Sequence, residues 1–429
     1  MSSYLALLRE NSNYRRLWWG AVISLFGDWF NLIASASLVA NLTSAGTAVS
    51  YLFLARFLPL FFFTPLAGVL ADRYDRRKIL IVADLARAAT VLCFLLVRRP
   101  EDLWLLYGLT VLQFALSALF TPARSAVIAN VVAPQDLVTA NALDSVTWST
   151  MLALGALVGG LVAAAFGIAT AFVIDAASFL LSAWFIGGIR RPTAGDRGRR
   201  TEDGAVTNVL RQDRAGWLDF VDGLRYLRGE PFILAMAMVK GAGSLAWGAV
   251  NVLEITFAER IFPIGSGATG TLGILYAISG LGTGLGPLLL RRWLGDAPFR
   301  LRWAIGVGFL MLAAGIFGVS QSPSLPWLGF STLVRTIGSG TVWVFSAALL
   351  QMVVPDRVRG RVFAFEFAFL TLTQSLSTFW AGFAQDRLAL DVRQVALVMS
   401  GVALVGGGLW FTLHWRGRWP LIVRPSRHE

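Results

Sequence analysis

The sequence predicts an all-α membrane protein in which twelve transmembrane helices form two pseudo-symmetric bundles of six. Three observations support this fold class. Hydrophobic residues make up 56% of the 429 residues and charged residues only 14%, whereas soluble domains average about 25% charged residues. Apolar runs long enough to cross a bilayer as helices recur along the whole chain, and basic segments separate many of them. Finally, the fourth and tenth spans end in a similar Pro-containing polar turn, at Pro134 and Pro355, about half the chain apart.

The spans are read from the apolar runs in order. We place them near residues 15–40, 48–71, 79–98, 103–131, 138–165, 168–189, 232–258, 268–291, 302–320, 325–353, 360–386 and 391–415. The polar stretch between the sixth and seventh spans divides the chain, so we expect a six-helix bundle over 1–189, a linker over 190–230, and a second bundle with its tail over 231–429.

The linker itself has two parts. Residues 190–214 are rich in Arg, Gly and Asp and are typical of a flexible connection. Residues 217–228 repeat apolar side chains at helical intervals, with charges on the other faces, which predicts an amphipathic helix. We expect it to lie on the membrane surface or to act as a strut between the bundles.

Basic residues indicate the orientation. They precede the first span at Arg15 and Arg16, and they crowd the segments 72–78, 190–214 and 416–429, which twelve spans place on one side. By the positive-inside rule, that side and both termini are cytoplasmic, and we expect a monomer in a bacterial cytoplasmic membrane. The net charge of +12 therefore reflects topology rather than nucleic-acid binding. A single cysteine, Cys93, excludes a disulfide within the chain.

The densest charge lies between the second and third spans, where we expect a short loop at the membrane surface. Its pattern is Gly-x-x-x-Asp-Arg-x-x-Arg-Arg-Lys, at Gly68, Asp72, Arg73, Arg76, Arg77 and Lys78. This order and spacing resemble the signature loop of the major facilitator superfamily. The resemblance implies that the loop joins the two bundles in the outward-open state, with Asp72 capping a helix of the other bundle and pairing with an arginine. A generic basic loop is the alternative interpretation.

The wider resemblance covers most of the chain. Segments 13–18, 24–29, 121–126 and 354–362 are similar to the enterobactin-exporter and macrolide-efflux branch of that superfamily. Asp175 stands where this branch more usually has Asn. A lysophospholipid transporter of a neighbouring branch shares the Phe-Gly-Asp feature of the first span, so the resemblance implies the scaffold more firmly than the substrate.

Asp28 is the leading candidate for function, because it lies near the middle of the first span, where a charge is energetically expensive. We expect it to couple transport to protons or cations, or to contact a cationic group of the substrate. The alternative is a structural ion pair, for which Lys240 of the seventh span is the candidate. The family resemblance implies that these two spans occupy related places around a central cavity.

Other charges within the spans are weaker candidates. Lys240 and Glu254 lie about four turns apart on the seventh span and cannot pair with each other. Glu254 is a candidate coupling carboxylate or gate residue. Arg335 lies in the middle of the tenth span. Arg124 lies late in the fourth span, where the resemblance implies handling of charge or protons; the alternative is a partner for Asp144.

Two further pairings are expected from position along the chain. Asp84 and Arg87 are three residues apart on the third span and should pair locally. Asp144 and Glu366 lie early in the fifth and eleventh spans, and we expect them to form a cytoplasmic clasp with the basic loops.

These features predict a secondary active transporter that exports small amphipathic compounds, of the drug or siderophore class, by alternating access and in exchange for protons. The alternative is a lysophospholipid flippase, which Lys240 near Asp28 would favour because a zwitterionic headgroup needs both signs of charge. A solute importer or a non-transporting sensor fits less well. We expect no enzyme, cofactor or metal site, since the sequence contains no catalytic triad, no metal-ligand spacing and no nucleotide-binding loop.

Overall fold

The computed structural model describes residues 2–133, 136–189, 224–265, 268–294 and 297–416. Among these residues, twelve helices are long and apolar enough to cross a membrane, and a shorter helix precedes them. The bounds are α1 Ser2–Glu10, α2 Ser12–Leu42, α3 Gly46–Arg73, α4 Arg76–Cys93, α5 Leu103–Val131, α6 Leu137–Phe166, α7 Ile168–Gly187, α8 Pro231–Arg260, α9 Thr269–Leu294, α10 Pro298–Ser320, α11 Leu325–Val353, α12 Asp356–Asp386 and α13 Val392–Arg416. The predicted linker segment 190–214 and most of 217–228 lie outside the described residues.

The two sets of six helices repeat one packing scheme. In the first half, α2 packs on α6 and α7, α3 on α5, and α4 on α5 and α7. In the second half, α8 packs on α12 and α13, α9 on α11, and α10 on α11 and α13. If the six membrane helices of each half are numbered one to six, both halves contain the same five helix pairings. This confirms the two pseudo-symmetric bundles predicted from the sequence.

The halves meet along two interfaces, α6 against α9 and α3 against α12. Small residues allow the backbones of α6 and α9 to approach each other closely. A Cβ added at Gly160 would lie 2.6 Å from the carbonyl oxygen of Thr269, and one at Gly280 would lie 2.5 Å from the backbone nitrogen of Ala153. Glycine is therefore required at both positions for the backbones to approach this closely.

The charged stretch between the second and third spans is mostly helical, which corrects the prediction of a loop. Helix α3 continues to Arg73 and α4 begins at Arg76, so only Tyr74 and Asp75 separate them. The carboxylate of Asp75 accepts hydrogen bonds from the backbone N–H groups of Arg77 (3.0 Å) and Lys78 (3.3 Å). This N-cap starts α4 three residues earlier than its apolar run.

The polar N-terminus also folds, which its composition did not predict. Helix α1 precedes Asn11, whose side chain accepts a hydrogen bond from the backbone N–H of Tyr14 and donates one to the carbonyl of Val131 (2.6 Å). The Tyr14 hydroxyl donates to the carbonyl of Ala140 (3.0 Å). These contacts tie the start of α2 to α5 and α6 at the end of the molecule where α3 turns into α4. We call this the basic end, and the end where α2 turns into α3 the far end.

Candidate functional site

Asp28 lies near the middle of α2 and is half-buried. Among the described residues it has no hydrogen bond and no ion pair. The charges within electrostatic reach include Arg56 on α3, Arg87 and Asp84 on α4, and Asp175 on α7. Lys240 pairs with Glu366 instead, so the alternative interpretation of Asp28 as the ion-pair partner of Lys240 is wrong.

Asp175, on α7, was noted in the sequence only as an unusual residue type. It is fully buried, and its Oδ2 has no hydrogen-bond partner. A Cβ added at Gly27 would lie 2.6 Å from its Oδ1, so the carboxylate rests against the backbone of α2 immediately before Asp28. The Asn31 side chain lies beside it. The sequence could have marked Asp175 as a candidate functional residue, because single acidic residues within apolar spans are rare in membrane proteins.

The remaining charges of this cluster are two arginines and one acid. Asp84 and Arg87 form the predicted local ion pair, which is buried. The Arg87 guanidinium also lies over the Phe120 and Phe179 rings, 4.3 and 4.4 Å from their centroids. Arg56 lies 4.5 Å from the ring centroid of Phe114, and its Nη1 has no hydrogen-bond partner. Stacking on aromatic rings helps to hold these cations in an apolar surrounding. We call Asp28, Arg56, Asp84, Arg87 and Asp175 the five-charge cluster.

The second half holds its charges differently. Glu254 of α8 and Arg335 of α11 form a buried ion pair, and Arg335 lies 3.4 Å from the Ser279 hydroxyl of α9. The sequence marked both residues separately but gave no sign that they pair, since they are far apart in the chain. Their assignment to a cavity stays a prediction.

Lys240 pairs with Glu366, at 3.0 Å between Nζ and Oε1, and lies 4.7 Å from the ring centroid of Trp343. The prediction that Glu366 belongs to a clasp with the basic loops is therefore wrong. Packing of α8 on α12 explains the pairing. Along the same interface the Ser244 hydroxyl lies 2.6 Å from that of Thr373.

Arg124 and Asp144 form a bidentate ion pair, in which both nitrogen-to-oxygen distances are 2.8 Å. About one fifth of each side chain remains exposed. This is the alternative predicted for Arg124. It also means that Asp144 contacts a neighbouring helix of its own half, where the sequence had indicated a basic loop.

At the basic end, the described part of the charged stretch contacts its own half. Arg77 donates hydrogen bonds to the carbonyls of Ile186 (3.2 Å) and Gly187, and so caps the C-terminal end of α7. The side chains of Asp72 and Arg73 and the surroundings of Gly68 lie outside the description, and Arg76 begins α4. Capping of the other half by Asp72 stays a prediction.

At the far end, a carboxylate of one half caps a helix of the other. Asp386, the last residue of α12, accepts hydrogen bonds from the backbone N–H groups of Gly46 (2.9 Å) and Thr47 (2.7 Å) and from the Thr47 hydroxyl (2.6 Å). Arg260, at the end of α8, donates to the carbonyl of Ser44. We call these contacts the far-end latch. Nothing in the sequence distinguished Asp386 from a solvated acid at a helix end.

Close packing continues beneath the far-end latch. The Ser50 hydroxyl donates to the carbonyl of Thr378 (2.7 Å). A Cβ at Gly382 would lie 2.3 Å from the Ser50 Oγ. The structure therefore holds α3 and α12 together at the far end.

Aromatic rings gather around Trp29, the residue that follows Asp28. The Trp29 ring lies 6.4 Å from that of Trp148 on α6 and 6.0 Å from that of Tyr276 on α9, centroid to centroid. Rings from both halves thus meet one residue along α2 from Asp28. The described residues include no group of three or more His, Cys, Asp or Glu side chains that could hold a metal ion.

Comparison with known proteins agrees with this architecture. The chain is 27% identical over 416 residues to the uncharacterized MFS-type transporter YfiS of Bacillus subtilis, covering 94% of this chain and 93% of the relative. It is 24% identical over 386 residues to macrolide efflux protein A of Streptococcus pyogenes, covering 87% and 90%. A crystal structure of the nucleoside transporter NupG superposes with a TM-score of 0.67 at 15% identity, over 96% of this chain and 99% of that one, which shows a shared fold.

The family model of the Major Facilitator Superfamily matches residues 17–377, which is most of the chain. The relatives are transporters, and twelve apolar helices make this a multi-pass membrane protein. On this match, with the two pseudo-symmetric bundles already described, the chain belongs to the Major Facilitator Superfamily and is a membrane transporter, not an enzyme.

Proposed function

We propose that this transporter exports small amphipathic compounds, of the drug or siderophore class, in exchange for protons. The observation that carries the proposal is Asp28, a carboxylate in the middle of a membrane helix that is half-buried and has no hydrogen bond or ion pair among the described residues. A membrane-embedded acid without a structural partner is a candidate for binding and releasing a proton.

The surroundings of Asp28 support an amphipathic substrate. The rings of Trp148 and Tyr276, one from each half, lie near that of Trp29, the residue that follows Asp28. Large apolar rings next to a single charge suit a ligand that is mostly apolar and carries one polar or cationic group. The relative named as a macrolide efflux protein supports export of such compounds.

Transport would proceed by alternating access. The far-end latch and the packing of Gly382 on Ser50 hold the far end closed. Opening that end requires the hydrogen bonds from Gly46 and Thr47 to Asp386 to break. The basic stretch with Asp72 would stabilise the opposite state. The Glu254–Arg335 and Lys240–Glu366 pairs then hold the second half together instead of coupling it to an ion.

We place the protein as a monomer in a bacterial cytoplasmic membrane, with both termini in the cytoplasm. Basic residues at the basic end support this orientation, among them Arg15, Arg16, Arg76 and Arg77. The far end would then face outward.

Lysophospholipid transport is the second candidate function, and the structure removes one observation that was expected to support it. Lys240 was expected to face Asp28 and so provide the second charge for a zwitterionic headgroup. It pairs with Glu366 instead, at 3.0 Å.

The test is transport by the purified protein in liposomes that contain a pH-sensitive dye, with macrolides, siderophores and lysophospholipids each offered under an imposed proton gradient. We expect proton flux that depends on a macrolide or siderophore, that is lost in Asp28→Asn and that is partly kept in Asp28→Glu, which retains a carboxylate. Equal flux in Asp28→Asn and wild type would contradict the proposal. Lysophospholipid movement without a gradient would favour the second candidate.

A further inference from the structure

The charged side chains around Asp28 do not balance. The five-charge cluster contains three carboxylates but only two guanidinium groups, and each of the five side chains lies within electrostatic reach of others in the set. We propose that Asp28 and Asp175 share one bound proton, which makes Asp175 a second residue of the coupling site. This inference rests on the proposed function for the use of the proton in transport, but the binding of the proton can be tested on its own.

Helix packing places Asp175 against the part of α2 that carries Asp28. The Asp175 Oδ1 lies where a side chain at position 27 would be, against the turn of α2 that carries Asp28. Each of the two carboxylates lies within electrostatic reach of the other. Two carboxylates that share one apolar site cannot both ionise without a large penalty, so such pairs take up one proton between them.

The positive charges nearby are fewer than the negative ones. Arg87 is paired with Asp84 on its own helix and also lies within electrostatic reach of Asp28 and Asp175. Arg56 lies within electrostatic reach of the same two carboxylates. The Tyr276 phenol of the second half also lies within reach of Arg56, and it does not supply a positive charge. Two guanidinium groups among three carboxylates leave one negative charge to be neutralised.

Unsatisfied polar atoms mark the same place. Asp175 Oδ2, Asn31 Nδ2 and Arg56 Nη1 are all buried without a hydrogen-bond partner. Asp175 is fully buried and Asn31 is 1% exposed. Buried polar atoms without partners are rare, because each has lost its hydrogen bonds to water without gaining others. A proton on one carboxylate would remove the excess negative charge.

A proton fits this site better than a metal ion. Two carboxylates and one amide are available, and the part of the chain that the structure describes has no cluster of three or more acids, histidines or cysteines that could ligate a metal. In the step we propose, a carboxylate oxygen of the pair accepts a proton from water at one face of the membrane and returns it to water at the other. No other group changes its bonding.

Infrared spectroscopy of the purified protein in lipid tests this without any substrate, because a protonated carboxyl has its own carbonyl stretch. At pH 7 we expect the wild type to show one such band that is absent from both Asp28→Asn and Asp175→Asn. Either substitution leaves two carboxylates with two guanidinium groups, so no proton is needed. A full band in Asp175→Asn would overturn the proposal by assigning the proton to Asp28 alone. Exposed Glu101→Gln is the matched control and should leave the band unchanged.

A double variant that restores the excess carboxylate separates loss of the bound proton from loss of the folded structure. Arg56→Gln combined with Asp175→Asn leaves two carboxylates and one guanidinium, so the band lost in Asp175→Asn should return. Failure of the band to return, in a protein that still unfolds cooperatively on heating, would contradict the charge count. Substrate flux is a separate measurement, so a band that behaves as expected in a protein that moves no protons would refute the proposed function and leave the shared proton standing.

Discussion

The two halves of this transporter share one helix-packing scheme but handle buried charge in opposite ways. In the second half every buried acid described in a membrane helix has its own cation, as Glu254 with Arg335 and Glu366 with Lys240. In the first half Asp28, Asp84 and Asp175 share two guanidinium groups among the described residues, those of Arg56 and Arg87. The fold therefore does not require an exchangeable charge. An excess carboxylate is a property of one half, and it is there that we look for ion coupling.

The largest effect is expected from breaking a balanced pair. Arg335→Gln leaves the Glu254 carboxylate buried and unpaired, so it should destabilise the protein by about 3–5 kcal/mol, seen as a lower unfolding temperature or a loss of folded protein. The double variant Glu254→Gln with Arg335→Gln is the control and should recover most of that loss. Equal stability of Arg335→Gln and wild type would show that the pair does not hold the second half.

Neutralising the excess acid of the first half should affect stability far less. Asp175→Asn removes a charge that has no cation of its own, so the free energy of unfolding should change by at most about 1 kcal/mol. Proton-coupled transport should nevertheless be lost. The measurement is thermal unfolding beside flux in the same preparation. Destabilisation as large as that of Arg335→Gln would erase the proposed difference between the halves.

A small effect is also expected at the far-end latch. Asp386→Ala removes the cap from α3, which should shift the closed state by about 1 kcal/mol, or about fivefold in the ratio of the two states. Reaction of Ser50→Cys, in a Cys93→Ala background, with a membrane-impermeant maleimide reports opening, because Ser50 is buried when the far end is closed. We expect faster labelling.

Asp391→Ala is the matched control for the latch. Asp391 also caps a helix start at the far end, through the backbone N–H of Arg393 (3.1 Å), but this bond lies within one half. Labelling at position 50 should be unchanged by it. Faster labelling in both variants would mean that any lost cap loosens the far end, and that the contact between halves has no special role.

Sequence reasoning predicted the fold because hydropathy and the periodic return of basic turns are local signals. For the same reason it predicted the Asp84–Arg87 pair, whose partners are one helical turn apart. It missed the pairing of Lys240 with Glu366, since that contact is set by how α8 packs on α12. It also missed Asp386, because an acid at the end of an apolar helix looks the same whether it meets water or the start of another helix.

Asp175 was missed as a candidate site residue for a different reason. A single acid within an apolar run is visible in the sequence, and the cost of burying it could have placed it beside Asp28 as a candidate. What the sequence could not supply was the charge count, which needs the positions of Arg56 and Arg87 on two other helices. The candidate site therefore depends on tertiary packing even where its members can be listed from composition.

One experiment addresses directly whether the first half carries the exchangeable charge and the second does not. It compares substrate-dependent proton flux in liposomes for wild type, for Asp28→Asn, and for the double variant Lys240→Gln with Glu366→Gln, which removes a balanced pair as a unit. We expect flux to disappear in Asp28→Asn and to persist in the double variant. Flux that persists in Asp28→Asn, or that vanishes only when the Lys240–Glu366 pair is removed, would contradict this division between the halves.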